Sequence, residues 1–534
     1  MKTFTRIIAM LLVCVFLGAA LVACGNKKND NKEEESKPTA SNKPTQNGGV
    51  SEIITNEFGE ESFTTAIQES LDFEEEELTV LVLDRVRNTR EWYKESPEDE
   101  LDEAIAMRNA AVEDELNVVI DYTYVPDYDI DATFAKLISE DVLDKYHYYD
   151  IVANYAYYGA NTTIRGYLAN FLDTETFPYF NFDLPCWNQA MVQNTTFNNR
   201  LYYIAGDLNI SMFDNAMVIW HNKTLYDKKK EETDPVNMQD VALDGKWTYS
   251  ELYRWSSVFY ENANGKEGKQ DDDNYGFCMY AKDGGASGDP CPTDAMPYAW
   301  DIQFVATNND GTHSFTVADN EKAESALRMF QNLIAGDGVV YSYYADDAAQ
   351  LFAAGHYVFW TDRIYWNQEV NTSIREMNDK YGLLPMPKYD AEQEQYGTTS
   401  QDCYNLMTLI DHSESPVPTK GKAVSAYLQL STEESYAGVR GYYFNRIIKP
   451  KFFGTDDSEG TVTKSIALFD IIVDNIKFDF VTIYSYQLSN IAHLWRGAAF
   501  STETLTQRYN AKKDAFEDAI KKTDEFLGLR TIDE

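Results

Sequence analysis

Apolar residues fall along this chain in distinct rhythms. The first is a block: Ile7 to Val22 is almost unbroken apolar sequence, preceded by Lys2 and Arg6. From Gly25 to about Val50 there is no aromatic residue and almost no aliphatic one. Such a segment cannot bury enough surface to offset its ordering entropy, so a flexible tether is expected there. Low apolar content persists to the acidic run Glu74–Glu77, and a folded body opens at Leu78.

Leu78-Thr-Val-Leu-Val-Leu83 is a short β-rich run that predicts a buried strand. Residues 98–116 place Leu101, Ile105, Ala111 and Val112 on one side of a helix, with acids opposite. Val118–Tyr124 predicts a second strand, Phe134–Ile138 suits a helix, and Tyr149–Ala153 predicts a third strand. Strand, helix, strand, helix, strand is the pattern of an α/β lobe with a mostly parallel sheet. Ligands of such sheets bind beyond the carboxyl ends of the strands, which points to Asp84 and Arg85 and then Asn154–Tyr158. An ion pair between Asp84 and Arg85 is the structural alternative. Further on, Ala216–Asn222 predicts a strand, Lys246–Tyr253 starts a helix capped by Thr248 or Ser250, and 320–335 predicts another helix. His356–Thr361 reads as an aromatic strand, and 420–431, 463–475 and 503–527 read as helices. There is no internal repeat and no second membrane-length apolar run.

Composition narrows the function. A chain of 534 residues is too long for one hydrophobic core. Asp and Glu outnumber Lys and Arg by 87 to 46, a formal net charge of -41, so nucleic-acid binding is disfavoured. The same field argues against a strongly anionic ligand unless a local basic pocket overrides it. Six cysteines are too sparse for a disulfide scaffold; a Cys278–Cys291 bridge and unpaired thiols both remain open. No C-x-x-C occurs and the histidines are scattered, so no zinc is expected. Asp127–Asp131 and Asp271–Gly276 begin like calcium loops, but the first lacks the glycine and neither has Glu at the twelfth position; no metal and no cofactor is expected. No H-E-x-x-H, G-x-S-x-G or P-loop motif is present, so no catalytic residue is assigned and no enzyme is expected.

Two resemblances add to this reading. Lys2 and Arg6, the apolar block and Leu21-Val22-Ala23-Cys24 resemble the signal and lipobox of bacterial lipoproteins. That implies a signal peptide over 1–23, lipidation of Cys24 and an acylated tether over 24–77. Two or more acyl chains give stable anchoring on the extracytoplasmic face of the cell membrane. Then the strand LTVLVL, YDIVANY followed by GYLANFLD, NNRLYYIAGDLNISMFDNAMVIWHNKTLYD, KWTYSELY and YGLLPMPKYDAEQEQY resemble, in that order, extracellular solute-binding proteins of ABC importers, the branch that binds oligosaccharides. The resemblance spans most of 78–480. It implies a two-lobe periplasmic-binding-protein-like fold of type II: α/β lobes with mostly parallel sheets flanked by helices, and hinge strands between them. An N-lobe over 78–220 with a return segment at about 405–475 is expected, and a C-lobe over 221–404 with C-terminal helices at about 476–534. Crossovers are expected around Val218–Asn222 and Gly397–Met407. The implied partners are a carbohydrate and the importer's permease subunits, with the protein a monomer.

A sugar presents apolar C–H faces and a ring of hydroxyls, so its site needs flat rings and planar polar groups. The chain has 37 Tyr, 28 Phe and 9 Trp, most of them expected to fill cores. Tyr157 and Tyr158 follow a strand at the expected cleft edge. Trp300 lies in a Gly/Pro-rich stretch read as poor in structure. Trp360, Arg363 and Trp366 end a strand, where the family often places a stacking aromatic. Asp207, Asn209 and Asp214 precede the proposed hinge, with turn formation as their alternative role. The rival functions are a lipid-anchored glycoside hydrolase and a binding protein that feeds a sensor.

Cys24→Ser should abolish both cleavage and acylation. Palmitate labelling and detergent-phase partition of cells expressing each form will check this: label should enter the wild-type chain and not the variant.

Overall fold

The computed structural model describes residues 53–55, 61–63, 67, 70–93, 96–162, 165–233, 236–263, 265–270, 273–280, 292–342, 345–367, 374, 376–447 and 459–529. The leader, Cys24, the first part of the tether and Cys291 lie outside them. The strands in chain order are β1 (Ile53–Thr55), β2 (Glu61–Phe63), β3 (Glu76–Leu83), β4 (Val118–Val125), β5 (Ile151–Tyr155), β6 (Met217–Asn222) and β7 (Tyr275–Tyr280). They continue as β8 (Val305–Thr307), β9 (His313–Phe315), β10 (Val339–Ser342), β11 (Tyr357–Arg363), β12 (Tyr381–Leu384) and β13 (Asn405–Leu409).

β3 shows why its sequence is an uninterrupted apolar run. Leu78, Val80 and Val82 pack in one core with Val112 and Leu116 of helix Glu100–Leu116. Leu81 and Leu83 pack in another with Phe134 and Ile138 of helix Ile130–Leu143. A strand covered on both faces has no polar side to alternate with. β3 lies parallel between β4 and β5, with Leu83 opposite Val125 and Val82 opposite Ala153. β13 pairs antiparallel with β5, Asn405 opposite Tyr155, giving the order β13-β5-β3-β4. Helix Glu100–Leu116 starts where Asp99 accepts hydrogen bonds from the backbone N–H groups of Leu101 and Asp102.

The second sheet has the order β10-β7-β11-β6-β12. β7 is parallel to β10 and β11, whereas β6 is antiparallel to β11 and β12. Two of the three pairings in the first sheet are parallel, and two of the four in the second, so each sheet is mixed. Helix Gly421–Glu434 packs against helix Glu100–Leu116, on the first sheet's side. Helix Glu459–Asp474 packs against β12 and helix Met238–Leu243, on the second sheet's side, although residues to 475 were expected to return to the first lobe.

Three chain segments run side by side between the sheets. Met217 N–H donates to Thr399 O (3.1 Å) and Gln401 N–H to Asn215 O (2.9 Å). Thr398 N–H donates to Asn475 O (3.2 Å) and Lys477 N–H returns to Thr398 O (2.8 Å). The first crossing is thus complete by Met217, and Val218–Asn222 lie inside the second sheet. The stretch around Pro297 also differs from its sequence reading: Pro292–Ala299 is a helix, with every residue buried. Among the described residues no helix is long and apolar enough to cross a membrane.

Where the crossings leave the first sheet, Glu91 is fully buried. Its carboxylate accepts from Ser211 N–H (2.7 Å), Asn405 Nδ2 (2.6 Å) and Asn209 Nδ2 (3.2 Å). Burial pushes its pKa up to about 7, with those donors pulling the other way. Below the ordinary value of 4.5 the group is protonated in both states and costs nothing. As pH rises through about 7 the folded state loses roughly 3 kcal/mol relative to the unfolded chain. Chemical denaturation between pH 4 and pH 8 should show this slope, and Glu91→Gln should flatten it.

Candidate functional site

The carboxyl ends of β3 and β5 and the exit of β11 meet at the crossing segments. Arg85, two residues past the end of β3, reaches Asp127 at 2.6 Å and lies over the Tyr155 ring at 5.0 Å. Its partner is thus Asp127, not Asp84, which is exposed. Tyr155 and Cys403 share a hydrogen bond at 2.9 Å, so the last residue of β5 is tied to the second crossing. Arg87 projects from the short turn Val86–Thr89 and lies over the Tyr365 ring at 4.6 Å. Its Nη1 donates to Asn215 Oδ1 at 3.4 Å. Arg363, from the other sheet, lies over the same ring at 5.3 Å. Tyr365 therefore receives one guanidinium from each side of the junction.

Arg363 pairs with Asp362 at 3.3 Å. Burial opposes the charge on Arg363, but Asp362 beside it more than compensates and raises the guanidinium pKa. Burial pushes the Asp362 carboxyl up, against the pull of Arg363. Around the exit of β5, Tyr157 and Tyr158 meet edge to face at 4.8 Å, and each meets Tyr486 edge to face, at 5.4 and 5.9 Å. The Tyr157 hydroxyl donates to Asn490 Oδ1 at 3.2 Å. Tyr157 and Tyr158 are half-buried and Tyr486 is exposed.

The tryptophans singled out by sequence lie elsewhere. Trp300 is fully buried; its Nε1 donates to Pro387 O (3.1 Å) and its ring packs against Phe330 and Trp495. The loop that would have exposed it is a helix, so the reason for placing it against a ligand does not hold. Trp360 is fully buried, stacked on Trp220 at 5.9 Å and against Phe352 at 5.5 Å. Trp366 is buried at 5.7 Å from Trp360. After β11 the chain makes one 3-10 turn, Ile364–Asn367, in which neighbouring side chains diverge by about 120°. Trp366 turns back onto Trp360, and Tyr365 meets the two arginines.

Asp207, Asn209 and Asp214 are all buried and hold protein groups. Asp207 pairs with Arg440 (3.5 Å), Asn209 Oδ1 accepts from Gly206 N–H (3.1 Å), and Asp214 accepts from the Tyr443 hydroxyl (2.7 Å). Gly206 is needed there, because a Cβ would sit 2.5 Å from the Cys186 carbonyl. A cavity of about 210 Å³ beside Asp207, Trp187, Arg440 and Asp474 lies next to the crossings. A wider one of about 950 Å³, lined by Leu168, Asp173, Tyr202 and His412, lies away from the strand ends described above. Cys278 is a free, buried thiol. Among the described residues no three His, Cys, Asp or Glu side chains gather as a metal site.

Sequence reasoning missed Arg87, Tyr155, Tyr365, Tyr486 and Asn490. Tyr155 and Tyr365 stood inside segments already singled out, and only the side on which each ring lies was lacking. Arg87 had a signal too, four residues beyond a predicted strand end. Tyr486 and Asn490 had none.

Two helix-flanked mixed sheets joined by crossing segments make this the periplasmic-binding-protein-like fold. No family model matches the chain, and no curated protein matches its sequence. Among solved structures, the cyclic alpha-maltosyl-1,6-maltose binding protein from Arthrobacter globiformis is similar with a TM-score of 0.54 and 15% identity, over 83% of this chain and 99% of that one. The GacH receptor of Streptomyces glaucescens, solved unliganded and with acarbose, gives 0.49 and 13%, over 85% and 99%. The likeness to the first concerns the fold.

Trp300→Ala should lower the unfolding free energy by about 3–5 kcal/mol, as removal of a core indole does. Tyr486→Ala, at an exposed ring, should change it by less than about 1 kcal/mol. Urea denaturation of both variants checks the contrast.

Proposed function

We propose that this chain is an extracytoplasmic solute-binding protein, anchored through Cys24, that captures a carbohydrate between two lobes and delivers it to an ABC importer. The observation that carries the reading is the junction itself. Rings and planar polar side chains stand at the strand ends of one sheet (Arg85 over Tyr155, Tyr157 against Tyr158), and Arg87 of the same side lies over Tyr365, the ring that Arg363 of the other sheet also approaches. These are the two kinds of surface that a sugar's C–H faces and hydroxyls require. The periplasmic-binding-protein-like fold supports the reading, and in this proposal the paired segments 215–217, 398–401 and 475–477 act as the hinge. Asp84, Tyr157, Tyr158 and Arg363 are retained as proposed ligand contacts, with Arg85 and Tyr365 beside them. Trp300, Trp360 and Trp366 are assigned to the cores that support this wall.

The reading requires binding without turnover. In a thermal-shift screen of neutral and acidic trisaccharides, a cognate sugar at 100 times its Kd should stabilise the protein by about 2.7 kcal/mol. Chromatography should return the sugar intact, and small-angle scattering should show the protein contracting. Release of shorter sugars would instead establish a hydrolase.

A further inference from the structure

Three arginines stand near the junction in a chain whose formal net charge is -41. Arg87 and Arg363 share the Tyr365 ring, and Arg85 lies over Tyr155 at the end of β5. Asp127 offsets Arg85 and Asp362 offsets Arg363. Arg87 differs: among the described residues its contacts are the Tyr365 ring and Asn215 Oδ1, and no carboxylate pairs with it. Nearly two acidic side chains exist for every basic one in this sequence, so a half-buried guanidinium left without one calls for a physical reason.

The geometry supplies one. A guanidinium is planar, with its donors in the plane and its π face above and below. Laying that face on Tyr365 uses the ring's negative surface and leaves the in-plane donors for another group. Asn215 takes one of them at a long 3.4 Å, so most of the fork is left. A carboxylate is the partner that matches such a fork with two parallel bonds, and it is the one an arginine binds most strongly. A neutral sugar hydroxyl would accept a single bond and leave the charge uncompensated as the junction closed around it.

We infer that the sugar this junction takes is acidic, an oligosaccharide bearing a uronate carboxylate, and that Arg87 is the residue that reads that carboxylate while stacked on Tyr365. The inference rests on the carbohydrate-binding reading above and names the class of sugar.

The test is calorimetric titration of the purified protein with trigalacturonate, triglucuronate and trimannuronate, with the methyl ester of each, and with neutral maltotriose, cellotriose and xylotriose. The methyl esters keep the ring shapes and remove the charges. At least one tri-uronate should bind ten-fold or more tighter than its ester. Arg87→Gln should cut that ratio to near one, and Arg87→Lys, which keeps the charge but loses the fork, should leave it in between. Circular dichroism and the melting temperature of each variant separate loss of recognition from loss of fold. A neutral trisaccharide binding as tightly as every uronate overturns the inference and leaves the carbohydrate reading standing. So does a uronate preference that survives Arg87→Gln. If no sugar in either set binds, both fall together.

Discussion

The structure depends on backbone pairing among segments that belong to neither sheet alone. Residues 215–217, 398–401 and 475–477 exchange main-chain hydrogen bonds, and Met217, which opens β6, also pairs with Arg363 of β11. Because those bonds are made locally, each sheet keeps its own register. The ends of β3, β5 and β11 arrive at one place as a result. Arg85, Arg87, Tyr157, Tyr158 and Tyr365 all stand within four residues of those ends.

Beneath this junction the polar interior is unusually committed. Glu91, Asn88, Asn209, Ser211 and Asn405 are all fully buried and bonded to one another, fastening the turn after β3 to the start of β13 and to the first crossing. Such a network has a cost if any member is lost, since its partners then remain buried and unpaired. It also explains why Asn209, an attractive candidate for a ligand hydroxyl, is occupied instead by the protein. The same holds for Asp207 with Arg440 and Asp214 with Tyr443. Polar residues before a crossing served the crossing.

The aromatic residues divide along a similar line. The indoles went to the cores: Trp220, Trp300 and Trp360 are fully buried, where their area contributes most. The wall of the junction is built from tyrosines and arginines. These combine a flat apolar face with a polar tip or edge, and so tolerate water on one side. Choosing candidates by ring size favoured tryptophan, whereas amphipathic character favours the residues found there.

The sequence by itself determined the elements whose signal is local. The run Leu78–Leu83, the acidic-faced helix over 98–116, the strand over Tyr149–Ala153 and the aromatic strand over His356–Thr361 each follow from periodicity and apolar content, and the order of segments carried the fold class. The short strands β7, β10 and β12 escaped, because a few residues of ordinary composition have no period to detect. Tertiary structure alone decided which side chains meet. Arg87 and Tyr365 lie far apart in the chain, and their contact exists only because two sheets deliver their strand ends to one junction. Whether Trp366 or Tyr365 turned inward was settled by a single 3-10 turn. Periodicity describes one element's own faces; what each face meets depends on partners distant in sequence, and no local pattern encodes them.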